Sequence, residues 1–142
     1  MATMKTFHAA IVLLILLLSA CAERGDNVYR TWVGPDRPNM AIVTLNLGDD
    51  VRDVTVRERT LARSDYGTIL LVPGKYTLRE RDDASIGITI RPVLVNTEQA
   101  RASGELILGH TYVLHAGKSK ESGERALWIV DARSGDVFID TR

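Results

Sequence analysis

The sequence predicts an all-β domain built as an antiparallel β-sandwich, and three observations carry that expectation. Apolar side chains recur at every second position in several short stretches, such as Val43, Leu45 and Leu47, or Ile86, Ile88 and Ile90. That period belongs to a strand with one face buried. Turn-forming pairs, among them Gly48-Asp49, Pro73-Gly74 and Ser134-Gly135, divide the stretches at short intervals, because glycine, proline and aspartate favour tight turns. No stretch beyond residue 27 has a convincing helical period. Eight or nine short strands at such spacing suit a sandwich or a small barrel.

Residues 40–47 read as a half-buried strand closed by Gly48-Asp49-Asp50. Residues 51–57 follow, with Val54 and Val56 alternating with Asp53, Thr55 and Arg57. Residues 60–65 are too short to assign. Residues 68–72 and 75–81 flank Pro73-Gly74 and read as a hairpin. Proline presets φ for the second residue of such a turn, and glycine takes the positive φ that a type II turn needs next. Tyr76 and Leu78 then share the inner face, with Lys75, Thr77 and Arg79 on the outer one. The isoleucine stripe at 86, 88 and 90 is another strand. Pro92 marks an edge or a bend after it, since proline has no amide hydrogen for a ladder.

Residues 96–103 read as a loop, with some helical propensity over 97–101. Residues 105–108 and 111–114 flank a bulge or corner at Gly109-His110. Residues 127–130 and 137–139 form a closing hairpin. Expected core side chains include Leu45, Val54, Leu70, Leu78, Tyr112 and Trp128.

The N-terminal segment is organised differently. Lys5 precedes an uncharged apolar run over 9–18, and small residues follow in Leu18-Ser19-Ala20-Cys21. A basic start, a short apolar run and small residues before a cut describe a secretory signal peptide. A retained membrane anchor is the competing reading, but ten apolar residues fall short of the about 20 that a bilayer-crossing helix needs. Cys21 is the only cysteine. A lone cysteine otherwise serves as a small buried hydrophobe.

Leu18-Ser19-Ala20-Cys21 also resembles a bacterial lipobox. The resemblance implies cleavage between Ala20 and Cys21 and a diacylglyceryl group on the Cys21 thiol. Each buried methylene adds about 0.8 kcal/mol of membrane affinity, so two or three acyl chains make the attachment effectively permanent. Ala22 stands where an aspartate would imply inner-membrane retention, so the resemblance implies the outer membrane of a two-membrane bacterium, facing the periplasm. The expected organisation is a signal peptide over 1–20, a lipidated cysteine and polar tether over 21–27, and a β-sandwich over 28–142. Removing 1–20 takes away Lys5 and leaves 17 basic against 18 acidic side chains. That balance gives no strong field for nucleic acid. With Cys21 acylated no thiol remains for a disulfide, and stability rests on the core.

Tyr29, Gly34-Pro35, Arg37-Pro38 and Met40-Ala41-Ile42-Val43 resemble the start of many small bacterial lipoproteins. Gly109-His110-Thr111-Tyr112, followed by Trp128, Asp131 and Ser134-Gly135, resembles the later half of that pattern. Val72-Pro73-Gly74-Lys75-Tyr76-Thr77-Leu78 is similar to the Pro-Gly hairpin of transthyretin-like and related carbohydrate-binding-like β-sandwich modules. These resemblances imply a transthyretin-like or immunoglobulin-like shape and an envelope location. They bring no catalytic residues.

Chemistry-bearing patterns are sparse. His110 and His115, five residues apart on one strand, would point to opposite faces, and no His-Cys cluster accompanies them. No metal or cofactor is expected. A nucleophile needs a base and an orienting group, and no Gly-x-Ser-x-Gly turn is present. Ser103-Gly104, Ser122-Gly123 and Ser134-Gly135 read as turns. The adjacent carboxylates Asp49-Asp50 and Asp82-Asp83 also fall in turns, where aspartate bonds its own backbone. Arg52, Arg57, Arg59, Arg63, Arg79, Arg81 and Arg91 interleave with Glu58, Asp65, Glu80, Asp82 and Asp83. Such a mixture favours cross-strand pairing, with an anionic-ligand groove as the alternative. Trp32 reads as a lid on the core or a ring at the membrane interface.

No catalytic residue is expected. The expected function is a non-enzymatic binding or structural module, held to membrane lipid through acylated Cys21. It would meet an envelope protein partner through a sheet face or edge, and no nucleic acid. The alternative is a small hydrolase or carbohydrate-binding protein using Asp82, Asp83 or His110.

Overall fold

A computed structural model describes residues 25–37, 40–81 and 83–142. The expected signal segment 1–20, the expected cleavage pair Ala20 and Cys21, the expected tether as far as Arg24, Pro38 and Asp82 lie outside the described residues. The chain from Gly25 onward forms two open sheets and one short helix. The first sheet is built from β1 (Asn27–Arg30), β2 (Val43–Leu47), β5 (Tyr66–Leu71), β9 (Thr111–Lys118), β10 (Arg125–Asp131) and β11 (Val137–Asp140). Their order is β1-β5-β2-β9-β10-β11. The second holds β3 (Val54–Val56), β4 (Arg59–Leu61), β6 (Gly74–Glu80), β7 (Ala84–Ile90) and β8 (Glu105–Leu106), in the order β4-β3-β6-β7-β8.

Alternation explains how the layers meet. Val43, Leu45 and Leu47 from β2, Ile69 and Leu71 from β5, and Tyr112 and Leu114 from β9 are buried from the first sheet. Val54, Val56, Leu78, Ile86, Ile88 and Ile90 are buried from the second, and all belong to one apolar cluster. Each fully buried Leu or Ile contributes about 1.5–3 kcal/mol of hydrophobic stabilisation. The helix α1 (Thr97–Ser103) packs on β8 and β11 and buries Ala100, closing that side of the sandwich. Its ends follow from sequence: the Asn96 side chain accepts from the Glu98 amide at 2.9 Å, and Gly104 takes φ 65 at the C-terminus.

The all-β, two-sheet expectation holds, but the pairing is mixed rather than purely antiparallel. β1–β5, β2–β9 and β7–β8 are parallel. Parallel neighbours need long connections, and each pair has one: β2 and β9 are separated by the whole second sheet, and β7 and β8 by α1.

Pro73-Gly74 is not a hairpin turn. β5 lies in the first sheet and β6 in the second, so the chain turns a corner between layers there, tied by the Tyr76 hydroxyl donating to the Val72 carbonyl at 2.6 Å. Both strands bury one face in the same core, which is satisfied by facing each other across it rather than by pairing edge to edge. Gly109, at φ 83, marks a second such corner between β8 and β9. Leu70 and Trp128 face outward, because Ile69 and Leu71, and Leu127 and Ile129, take the inward positions beside them. The described fold also starts slightly earlier than residue 28. Gly25 donates to the Arg63 carbonyl and Asn27 to that of Asp65.

Candidate functional site

The sandwich has two chemically distinct ends, linked by β10. At the entry end, where Gly25 joins the fold, Arg63 donates to the Gly48 and Val51 carbonyls and to Asp49. A Cβ at Gly25 would overlap the Asp65 backbone, its nearest atom 2.1 Å away, so only glycine permits this close approach. Here β6 carries Glu80 inward, on the parity of Tyr76 and Leu78, and its side chain is 0% exposed.

Arg125 meets Glu80 with two nitrogens: Nε on Oε1, and Nη2 at 3.0 Å from Oε2. The Arg52 amide adds 2.7 Å to Oε2. The Arg125–Glu80 pair thus joins β10 of the first sheet to β6 of the second, and Arg125 Nη2 also donates to the Asp50 carbonyl at 2.6 Å. Burial pushes the Glu80 carboxyl up, but the Arg125 contact, the Arg52 amide and both positive charges outweigh it and hold the group below its ordinary range. Asp83 pairs with Arg52 at 3.0 Å.

At the far end of β10, Asp131 is 6% exposed. It accepts from the Arg133 amide at 2.8 Å and the Ser134 amide at 2.9 Å, which shapes the turn into β11. His110 Nδ1 lies 3.4 Å from Asp131 Oδ2. Burial raises the Asp131 carboxyl; the two amides and His110 overcome that and leave it below its ordinary range. A shallow cleft of about 370 Å³ opens here between Gly109, His110, Thr111, Asp131 and Arg133. Beneath it the Tyr112 hydroxyl accepts from the Ile107 amide at 3.0 Å. Burial lifts that phenol, the Ile107 amide opposes the rise and the Asp131 charge adds to it, for a value of about 12.

Glu80 and Arg125 mark one end of β10 and Asp131 the other, six residue steps or about 20 Å apart along a strand. Asp83 and His110 therefore share no cleft, and Asp82 lies outside the described residues. His115 does face outward, stacked on Trp128 with ring centroids 5.7 Å apart. Among the described residues no group of three or more His, Cys, Asp or Glu side chains could hold a metal ion. Trp32 follows β1, which carries it away from the entry end.

Four of the seven arginines expected to pair across strands form ion pairs, from positions outside the strands rather than across them. Arg52, Arg63, Arg81 and Arg91 meet Asp83, Asp49, Asp53 and Glu105. Arg57 and Arg59 instead lie over the rings of Tyr76 and Tyr29. The buried roles of Glu80 and Asp131 were missed by sequence reasoning. For Glu80 a signal exists, since extending the Tyr76 and Leu78 alternation by one step places it inside. An all-β sandwich with a buried ion pair at one end and a capped carboxylate at the other is as far as fold and site define the class. The chain matches no family model, no curated protein and no solved structure.

Proposed function

We propose that this chain is a lipid-anchored envelope lipoprotein. Its sandwich, transthyretin-like or immunoglobulin-like in shape, serves as a non-enzymatic binding or structural module. The observation that carries this reading is the short span between motif and fold. Only Ala22, Glu23 and Arg24 separate Cys21 from Gly25, whose amide is already bonded to Arg63. Four residue steps reach at most about 14 Å, so an acylated Cys21 keeps the entry end beside its membrane and turns the far end away.

The far end bears exposed apolar side chains, Val33 after β1 and Val93-Leu94 after β7. Exposed large hydrophobes offer contact area to a protein partner. No helix among the described residues is long and apolar enough to cross a membrane, and acylation supplies attachment without one. The competing reading is a small hydrolase or carbohydrate-binding protein using Asp82, Asp83 or His110; Asp83 and His110 line separate clefts, which does not favour a hydrolase. The test is labelled-palmitate incorporation in the parent and in Cys21→Ser. The parent should be labelled and the variant not; equal labelling refutes the anchor. In-cell crosslinking with the parent should then recover an envelope protein.

A further inference from the structure

The outer face of the second sheet differs in charge from the rest of the molecule. Along β6, Lys75, Thr77 and Arg79 are exposed and alternate with buried Tyr76, Leu78 and Glu80. Their neighbours on β7 are Thr89, Gly87 and Ser85, and Thr55 of β3 lies opposite Arg79. None of these positions is acidic. Several arginines elsewhere are held by carboxylates, among them Arg52 by Asp83 and Arg91 by Glu105. Among the described residues neither Lys75 nor Arg79 has an ion-pair partner.

A groove of about 360 Å³ opens on this face, lined by Thr55, Thr77, Tyr76, the basic Arg57, Lys75 and Arg79, and one carboxylate, Glu58. Beside the groove on β7, opposite Thr77, Gly87 leaves open space, since a Cβ there would meet nothing within 4 Å. A ligand backbone can come close to the sheet at such a glycine.

We infer that this face binds an acidic polysaccharide lying along β6. Lys75 and Arg79, four residues or about 13 Å apart on the strand, suit charges spaced along a chain. The Thr55, Thr77, Ser85 and Thr89 hydroxyls each donate and accept, which matches sugar hydroxyls. Among the described residues no exposed aromatic ring stands on the face to stack nucleic-acid bases. The face runs from the entry end to the far end, so a membrane beside the entry end would reach only its Arg79 edge. This site deepens the binding-module reading and rests on it for where the ligand is met.

The test uses full-length acylated protein in uncharged detergent micelles, with polygalacturonate as probe and a neutral galactan as control. Polygalacturonate should bind, more weakly as salt is added, and the galactan should not. Lys75→Gln with Arg79→Gln, both at exposed positions, should weaken binding roughly tenfold without lowering Tm. Glycerol phosphate, a headgroup probe, should compete far less well than the polymer at equal charge. Equal binding by the double variant, equal binding of galactan, or glycerol phosphate matching the polymer overturns the inference. If polygalacturonate fails to bind while Cys21 is still palmitate-labelled, the ligand is refuted and the anchor stands. Unlabelled Cys21 with binding retained gives the reverse.

Discussion

Arg125→Gln should be the most informative single change in the ionic cluster. Glu80 is 0% exposed and receives three hydrogen bonds, two from Arg125 and one from the Arg52 amide. The substitution removes the positive charge and both side-chain donors, leaving a buried carboxylate with one amide. Breaking a buried pair from one side costs about 3–5 kcal/mol, or roughly 10–20 °C in Tm for a domain of this size. Glu80→Leu with Arg125→Met should fall within about 1 kcal/mol of the parent, because both charges then leave together.

The pH dependence gives the mechanism its own signature. In the parent the Glu80 carboxyl is held below its ordinary 4.5, so its contribution is present above that pH and is lost as pH falls through the lowered value. In Arg125→Gln burial is opposed only by the Arg52 amide and charge, and the carboxyl rises relative to the parent. Its protonated form is then tolerated in acid, and the penalty develops as pH rises through the raised value. Urea denaturation followed by tryptophan fluorescence should find the gap between the two proteins largest near pH 7 and narrowing towards pH 4. A loss under about 1 kcal/mol, or a gap that stays constant with pH, would refute a buried, charge-compensated Glu80.

Three other outcomes follow from the geometry. Ile69→Ala should cost about 2–5 kcal/mol as a core truncation, and Leu70→Ala about 1 kcal/mol or less; the reverse order in denaturation midpoints would place β5 in the other register. Asp131→Ala strands the Arg133 and Ser134 amides and should cost about 1–2 kcal/mol at pH 7. Since the Asp131 carboxyl is held below its ordinary 3.8, that difference should disappear as pH falls through the lowered value. In a spectrophotometric titration one of the four tyrosines should ionise at about 12, and Tyr112→Phe should remove that late step.

Much of the layered arrangement was legible in the sequence because β2, β6 and β7 each bury only one parity. Val43, Leu45 and Leu47 leave no doubt about which face is inside, and neither do Ile86, Ile88 and Ile90. The strands at 68–72 and 127–130 are apolar on both parities. There only the partner strands decide, and the expected burial of Leu70 and Trp128 failed for that reason. Pro73-Gly74 announced a turn correctly, but local turn chemistry is silent on whether the strands it joins pair or cross between layers. The same limit hid the parallel pairs, whose partners are distant in sequence. Of the sites, the outward alternation of Lys75, Thr77 and Arg79 was readable from period alone. The Glu80–Arg125 pair was not, because 45 residues separate its members and only the folded sheets bring them together.

The central claim, that the domain is tethered by lipid on Cys21, is tested most directly by the intact mass of the protein purified from the membranes of a lipoprotein-processing bacterium that expresses it. The account predicts a chain beginning at Cys21 and heavier than residues 21–142 by a diacylglyceryl group, with or without a further acyl chain. A chain retaining Met1, or one cut before Cys21 and carrying no lipid, would contradict it.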